Sequence, residues 1–133
     1  MTGRLTDLWR RLAQPAPRVD QVIRVGSMSD LPEQLDRRTV YLVGQPDFMK
    51  WAVLDCPCGR GHRLALNLST SRRPHWRVAA DDRERSPRLS PSVDSLIGSK
   101  RCHFWLHDGH VRWCRDATGW RRGRRGWQHG SRA

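Results

Sequence analysis

No apolar run in this sequence approaches the roughly 18 residues that a membrane span needs, which excludes a helical transmembrane protein. The first residues, MTGRLTDLWRRLAQPAP, lack the long apolar region and small-residue cleavage site of a secretory signal, so a cytoplasmic protein is expected. Acidic residues are scarce: 13 Asp+Glu stand against 25 Lys+Arg, a formal net charge of +12 carried almost wholly by arginine. That balance favours polyanions or acidic protein surfaces as partners. No H-E-x-x-H pattern or other strong protease signature occurs. Cysteine is also sparse, with four residues in 133. In a chain of the reducing interior these read as metal ligands or plain thiols rather than disulfides. Cys56 and Cys58 are poor disulfide partners in any case, because a bridge between residues two apart closes a strained ring.

What is present suits one domain with one modest core. Thr2 can cap a short helix bearing Leu5, Leu8, Trp9 and Leu12 at helical spacing, ended by Pro15 and Pro17. A second short helix is expected at SDLPEQLDR, capped by Ser29 or Asp30. From residue 39 the pattern becomes that of strands: TVYLVG, KWAVLDC after the turn QPDF, RLALNLS, HWRVAAD, and an extended RLSPSV broken by Pro91. The fold class expected is mainly β (α+β), a small antiparallel sheet with a zinc knuckle, a C-terminal β-hairpin and short N-terminal helices. Residues 1–18 form a helix and Pro-rich linker, 19–115 the zinc-binding β domain, and 116–133 a mobile basic tail of Arg, Trp and Gly.

The hairpin CHFWLHDGHVRWC sets the geometry of a candidate site. A two-residue turn at Asp108-Gly109 places His107 opposite His110, Trp105 opposite Arg112, Phe104 opposite Trp113 and His103 opposite Cys114. One face then carries Cys102, Phe104, Leu106, Val111 and Trp113 and belongs on the core. The other carries His103, Trp105, His107, His110, Arg112 and Cys114. His103 and Cys114 form a cross-strand pair close enough to share a metal. In CPCGRGH, Cys56 and Cys58 point the same way, and Gly59 and Gly61 let the backbone turn around an ion. Cys56, Cys58, His103 and Cys114 make a Cys₃His set, a composition zinc prefers. With the hairpin one residue out of register, Cys102 replaces His103 and the set becomes Cys₄.

The segments CPCGRG, LNL, RPHWRV, LSPSV and CHFWLHDGHVRWC fall in the order of a motif series that the chain resembles over residues 38 to 114. The series belongs to a family of small bacterial proteins with CPCGCG, LNL, P-x-W, L-x-PS-[IV] and HF motifs, often encoded beside ubiquitin-like proteins and their activating and conjugating enzymes. The resemblance implies a zinc-dependent peptidase or accessory factor acting with a ubiquitin-like protein or its conjugates. Three positions depart from the series. Arg60 stands where a further cysteine is usual, His62 where an acid is common, and Cys102 directly beside His103.

Two functions compete on this reading. A zinc-dependent hydrolase needs three protein ligands, an open position for water and a general base. His62, His107, His110 and Asp55 are candidate bases, Arg112 can bind a carboxylate or steady an oxyanion, and Ser90 and Ser92 lie near strand ends. The alternative is a non-catalytic zinc module. It would bind a partner protein, or nucleic acid through Arg121, Arg122, Arg124 and Arg125, with Trp120 and Trp127 stacking on bases.

Overall fold

A computed structural model describes residues 18–118. The expected N-terminal helix and the Arg/Trp segment proposed to contact nucleic acid lie outside the described residues. Among the described residues, eight strands make two four-stranded sheets. The first contains β1 (Gln21–Val25), β2 (Thr39–Gln45), β3 (Phe48–Asp55) and β4 (Arg63–Asn67) in that order. The second contains β5 (Arg77–Ala79), β6 (Arg88–Ile97), β7 (Lys100–His107) and β8 (His110–Trp113). All neighbours are antiparallel except β1 and β2, which run parallel.

Alternation along the strands explains how the sheets meet. Val40, Leu42, Ala52, Leu54, Leu64 and Leu66 from the first sheet join Leu89, Val93, Phe104, Leu106, Val111 and Trp113 from the second in one buried core. Phe104 and Trp113 meet edge to face at 5.5 Å within it. The intervening residues Tyr41, Val43 and Val53 face the other way and are covered by Leu35, with Leu31 and Trp51 at the margin. Among the described residues, no helix is long and apolar enough to cross a membrane.

The strands expected from residue 39 onward are present, and so is the hairpin register. Phe104 pairs with Trp113, Trp105 with Arg112, Leu106 with Val111 and His107 with His110. Asp108 and Gly109 both take positive φ, 48° and 82°, as a type I′ turn requires. Gly109 is needed twice over, because a Cβ there would stand 2.8 Å from the Val19 carbonyl oxygen. The helix expected at SDLPEQLDR is replaced by one 3₁₀ turn, Met28–Asp30, capped by Ser27. Pro32 accounts for the stop: it drives the preceding Leu31 into an extended conformation, φ −69° and ψ 143°. β1 is a strand that its five residues alone did not announce.

Two irregularities position the chemistry. The pairing of β6 with β7 shifts between Leu89 and Val93, around Pro91, so β6 bulges beside the middle of β7. After β8 the chain turns back along the sheet. Ala117 is buried in the core, Thr118 N–H donates to the Arg101 carbonyl at 2.8 Å, and Arg101 N–H donates to Thr118 Oγ1 at 2.8 Å.

Candidate functional site

The loop between β3 and β4 is a tight knuckle. Gly59 N–H donates to the Cys56 carbonyl at 3.2 Å, and Cys56 N–H to the His62 carbonyl at 2.9 Å, closing the loop on itself. Gly59 and Gly61 take φ of 77° and 78°, where a side chain would be strained. This fold aims Cys56, Cys58 and His62 at Cys102 on the core face of β7. The four donor atoms all lie within 4.8 Å of one another. His62 Nε2 is 3.1 Å from Cys58 Sγ and 3.6 Å from Cys102 Sγ.

Physical chemistry makes this group fit a soft divalent metal. Burial, with Cys58 and Cys102 close by, pushes the Cys56 thiol far up. Burial likewise raises Cys102, to about 11, with Cys58 adding to it. Buried thiols so close together cannot all ionise unless a cation compensates them. Burial lowers His62, which keeps its imidazole neutral and able to ligate. Three thiols and an imidazole are the donors of a closed tetrahedral zinc site.

The expected metal set is therefore rearranged. Cys56 and Cys58 are brought to His62 and Cys102, not to His103 and Cys114. The cause is the sandwich: the knuckle closes over the core face of β7, where Cys102 points, while His103 points out of the opposite face. The composition Cys₃His is unchanged, with both variable members exchanged.

On the outer face His103 meets different partners. Ser92, carried inward by the β6 bulge, places Oγ 3.1 Å from His103 Nε2. Asp116, on the turn after β8, places Oδ1 2.8 Å from His103 Nδ1. The other carboxylate oxygen of Asp116 is 3.1 Å from Arg101 Nη1. Arg101 in turn holds Asp94 through Nε at 2.9 Å and Nη2 at 2.6 Å. That bidentate bond keeps the Asp94 carboxyl below its ordinary range. The indole N–H of Trp76 donates to the Ser92 carbonyl at 3.2 Å, fixing the serine backbone from the β5 side. Cys114 N–H donates to the His103 carbonyl at 2.9 Å, and its thiol lies against the same histidine and Asp116.

A hydroxyl, an imidazole and a carboxylate in series are the parts of a nucleophilic triad. The sequence marks Ser92 only as a polar group near a strand end and does not mark Asp116, since nothing local ties it to a histidine 13 residues earlier. The other candidates fall elsewhere. His107 sits four residues along β7 from His103, about 13 Å by strand rise, and packs against Trp105. His110 and Arg112 are exposed on β8. Asp55 pairs with Arg37 at 3.5 Å.

A family model described as the bacterial ubiquitination-like system serine protease, BubE, matches residues 27–114. Ser92, His103 and all four members of the knuckle group lie inside that span, and Asp116 two residues beyond it. No curated protein and no solved structure matches the chain.

Proposed function

Because the chain belongs to the BubE family of bacterial ubiquitination-like systems, we propose that it is a serine peptidase acting on the C-terminal tail of a ubiquitin-like protein. Ser92 is the nucleophile in this reading, His103 the general base and Asp116 the orienting acid. The observation that carries it is the continuous hydrogen-bond chain Ser92 Oγ, His103 Nε2, His103 Nδ1, Asp116 Oδ1.

The chemistry follows from the tautomer. Asp116 accepts a hydrogen bond from His103 Nδ1–H, which leaves the Nε2 lone pair facing Ser92. Nε2 takes the Ser92 proton as Oγ bonds to the scissile carbonyl carbon. The same proton then passes to the leaving amine as the carbon–nitrogen bond breaks. A water attacks the acyl-serine, gives its proton to Nε2, and releases the carboxylate with Ser92 restored. Asp116 holds the ring in place throughout and steadies the imidazolium. Arg101 holds the second oxygen of Asp116, which matters because that carboxylate is half exposed and otherwise free to rotate.

The metal belongs to a different task. Zinc at Cys56, Cys58, His62 and Cys102 would be closed by four protein ligands, leaving no position for a hydrolytic water, and would supply cross-linking and charge compensation only. These residues tie the knuckle to β7, one residue from the catalytic histidine. In this reading a serine nucleophile stands in place of the zinc-activated water that was one of the two functions open from the sequence.

The test uses a ubiquitin-like protein extended at its C-terminus, together with a fluorophosphonate probe. Cleavage at the tail, with probe label on Ser92 and neither outcome in Ser92→Ala, is the expected result. Cleavage retained in Ser92→Ala and lost with chelator would return the chemistry to the metal.

A further inference from the structure

The outer face holds a second group of metal-binding side chains that the triad alone does not explain. A ring nitrogen of His103, Cys114 Sγ and a carboxylate oxygen of Asp116 all lie within 4.8 Å of one another, and Nδ1 is the nitrogen that faces Asp116, at 2.8 Å. Resting on the peptidase reading above, we infer that these three form an inhibitory site for a thiophilic divalent cation such as zinc or cadmium.

Donor chemistry and access favour it. A thiol, an imidazole and a carboxylate are all zinc ligands, with donors spaced about 3.3–3.8 Å in a tetrahedral shell, so closing on an ion takes shifts of about 1 Å. Cys114 is buried, His103 half-buried and Asp116 exposed. The group therefore opens to solvent on one side, where a water can complete the shell. Charge also balances. Arg101 engages the Asp116 oxygen turned away from the histidine, and its cation is matched by Asp94. A dication is then offset by the Asp116 carboxylate and a Cys114 thiolate.

Inhibition follows from proton positions. The ion takes Nδ1, the single proton of the neutral imidazole moves by way of solvent from Nδ1 to Nε2, and the thiol gives its proton to solvent. A neutral imidazole metallated at Nδ1 carries its one proton on Nε2. That nitrogen now donates to Ser92 Oγ and cannot accept its proton, so the base is lost without any displacement of the serine. With one sulfur donor and three protein ligands in place of three sulfurs and four ligands, the second ion is held more weakly and is more readily withdrawn than the first.

The experiment titrates full-length protein, already loaded at the knuckle, with cadmium chloride and in parallel with zinc chloride. Thiolate-to-cadmium charge-transfer absorption and native mass report binding, and cleavage of the ubiquitin-like fusion reports inhibition relative to each protein's own uninhibited rate. The expected result is a second equivalent that adds absorption, stops cleavage and is removed by a weak chelator that leaves the first in place. Cys114→Ser should lose the added absorption and need at least roughly tenfold more metal for inhibition, since even outer-shell changes weaken metal sites that much. Asp116→Asn, at an exposed position, provides a second binding test and should also weaken the second equivalent. Absence of a second equivalent in the unaltered protein, or equal binding and inhibition in Cys114→Ser, overturns the inference. If no cleavage occurs at all but a Cys114-dependent second equivalent binds, the site stands and the peptidase reading fails.

Discussion

Cys102 and His103 are neighbours in β7, yet they belong to two regions with opposite physics. Cys102 is fully buried and meets three donors from one loop. His103 is half-buried and meets a serine from one strand and an acid from beyond another. The inner group is closed, rich in sulfur, and built largely from a seven-residue stretch. The outer group is open on one side and assembled from three distant segments. Closed soft-donor sites hold a metal and stabilise the fold, whereas a nucleophile must be reachable by its substrate. Strand alternation lets one element serve both needs without compromise.

The strongest test of this division is Ser92→Ala. It should lower the rate of tail cleavage by about 10⁴-fold or more, while elemental analysis finds metal content unchanged. Loss of metal in that variant would break the separation of the two faces. Next in size, Cys58→Ala should fail to retain metal and lose cooperative unfolding by circular dichroism, because the binding energy of a structural metal is folding energy. A Cys58→Ala protein that stays folded and active without metal would show the knuckle to be dispensable.

Arg101→Ala sharpens the comparison within the outer group. The expected drop in kcat is on the order of ten- to a hundredfold, the scale of a misplaced catalytic group, with KM and metal content little changed. Arg101→Lys should recover part of it, since a single cation can still reach Asp116 without the bidentate grip on Asp94. Smallest of the four, Trp76→Phe keeps a ring against the core but removes the hydrogen bond to the Ser92 carbonyl. One such bond is worth about 1 kcal/mol, or roughly fivefold in kcat. An unchanged rate would mean that the β6 bulge holds Ser92 unaided.

The hairpin was legible because its determinants are local. Asp108-Gly109 specifies the turn, and the turn specifies that Cys102 lies with Phe104 and Trp113 on the apolar face. Placing Cys56 and Cys58 required more, namely which face of β7 the knuckle approaches. That depends on how two sheets stack, and no short segment encodes it. Cys102 on the apolar face, beside a buried pair of thiols, was the available hint. His103 and Cys114 do lie together, with Asp116, but on the face of β7 away from Cys56 and Cys58. Asp116 was illegible for a related reason: it reaches His103 only because Ala117 is pulled into the core and Thr118 clasps Arg101. The missing second helix was foreseeable from Pro32 alone.

The alternation in β7 also ties the two groups to a single register. A slip of one residue in its pairing would turn Cys102 outward and bury His103, because every side chain on a strand changes face together. Such a molecule would lose the metal cross-link and the general base in the same event. One register therefore sets both groups, and neither can be kept while the other is lost to a slip of the strand.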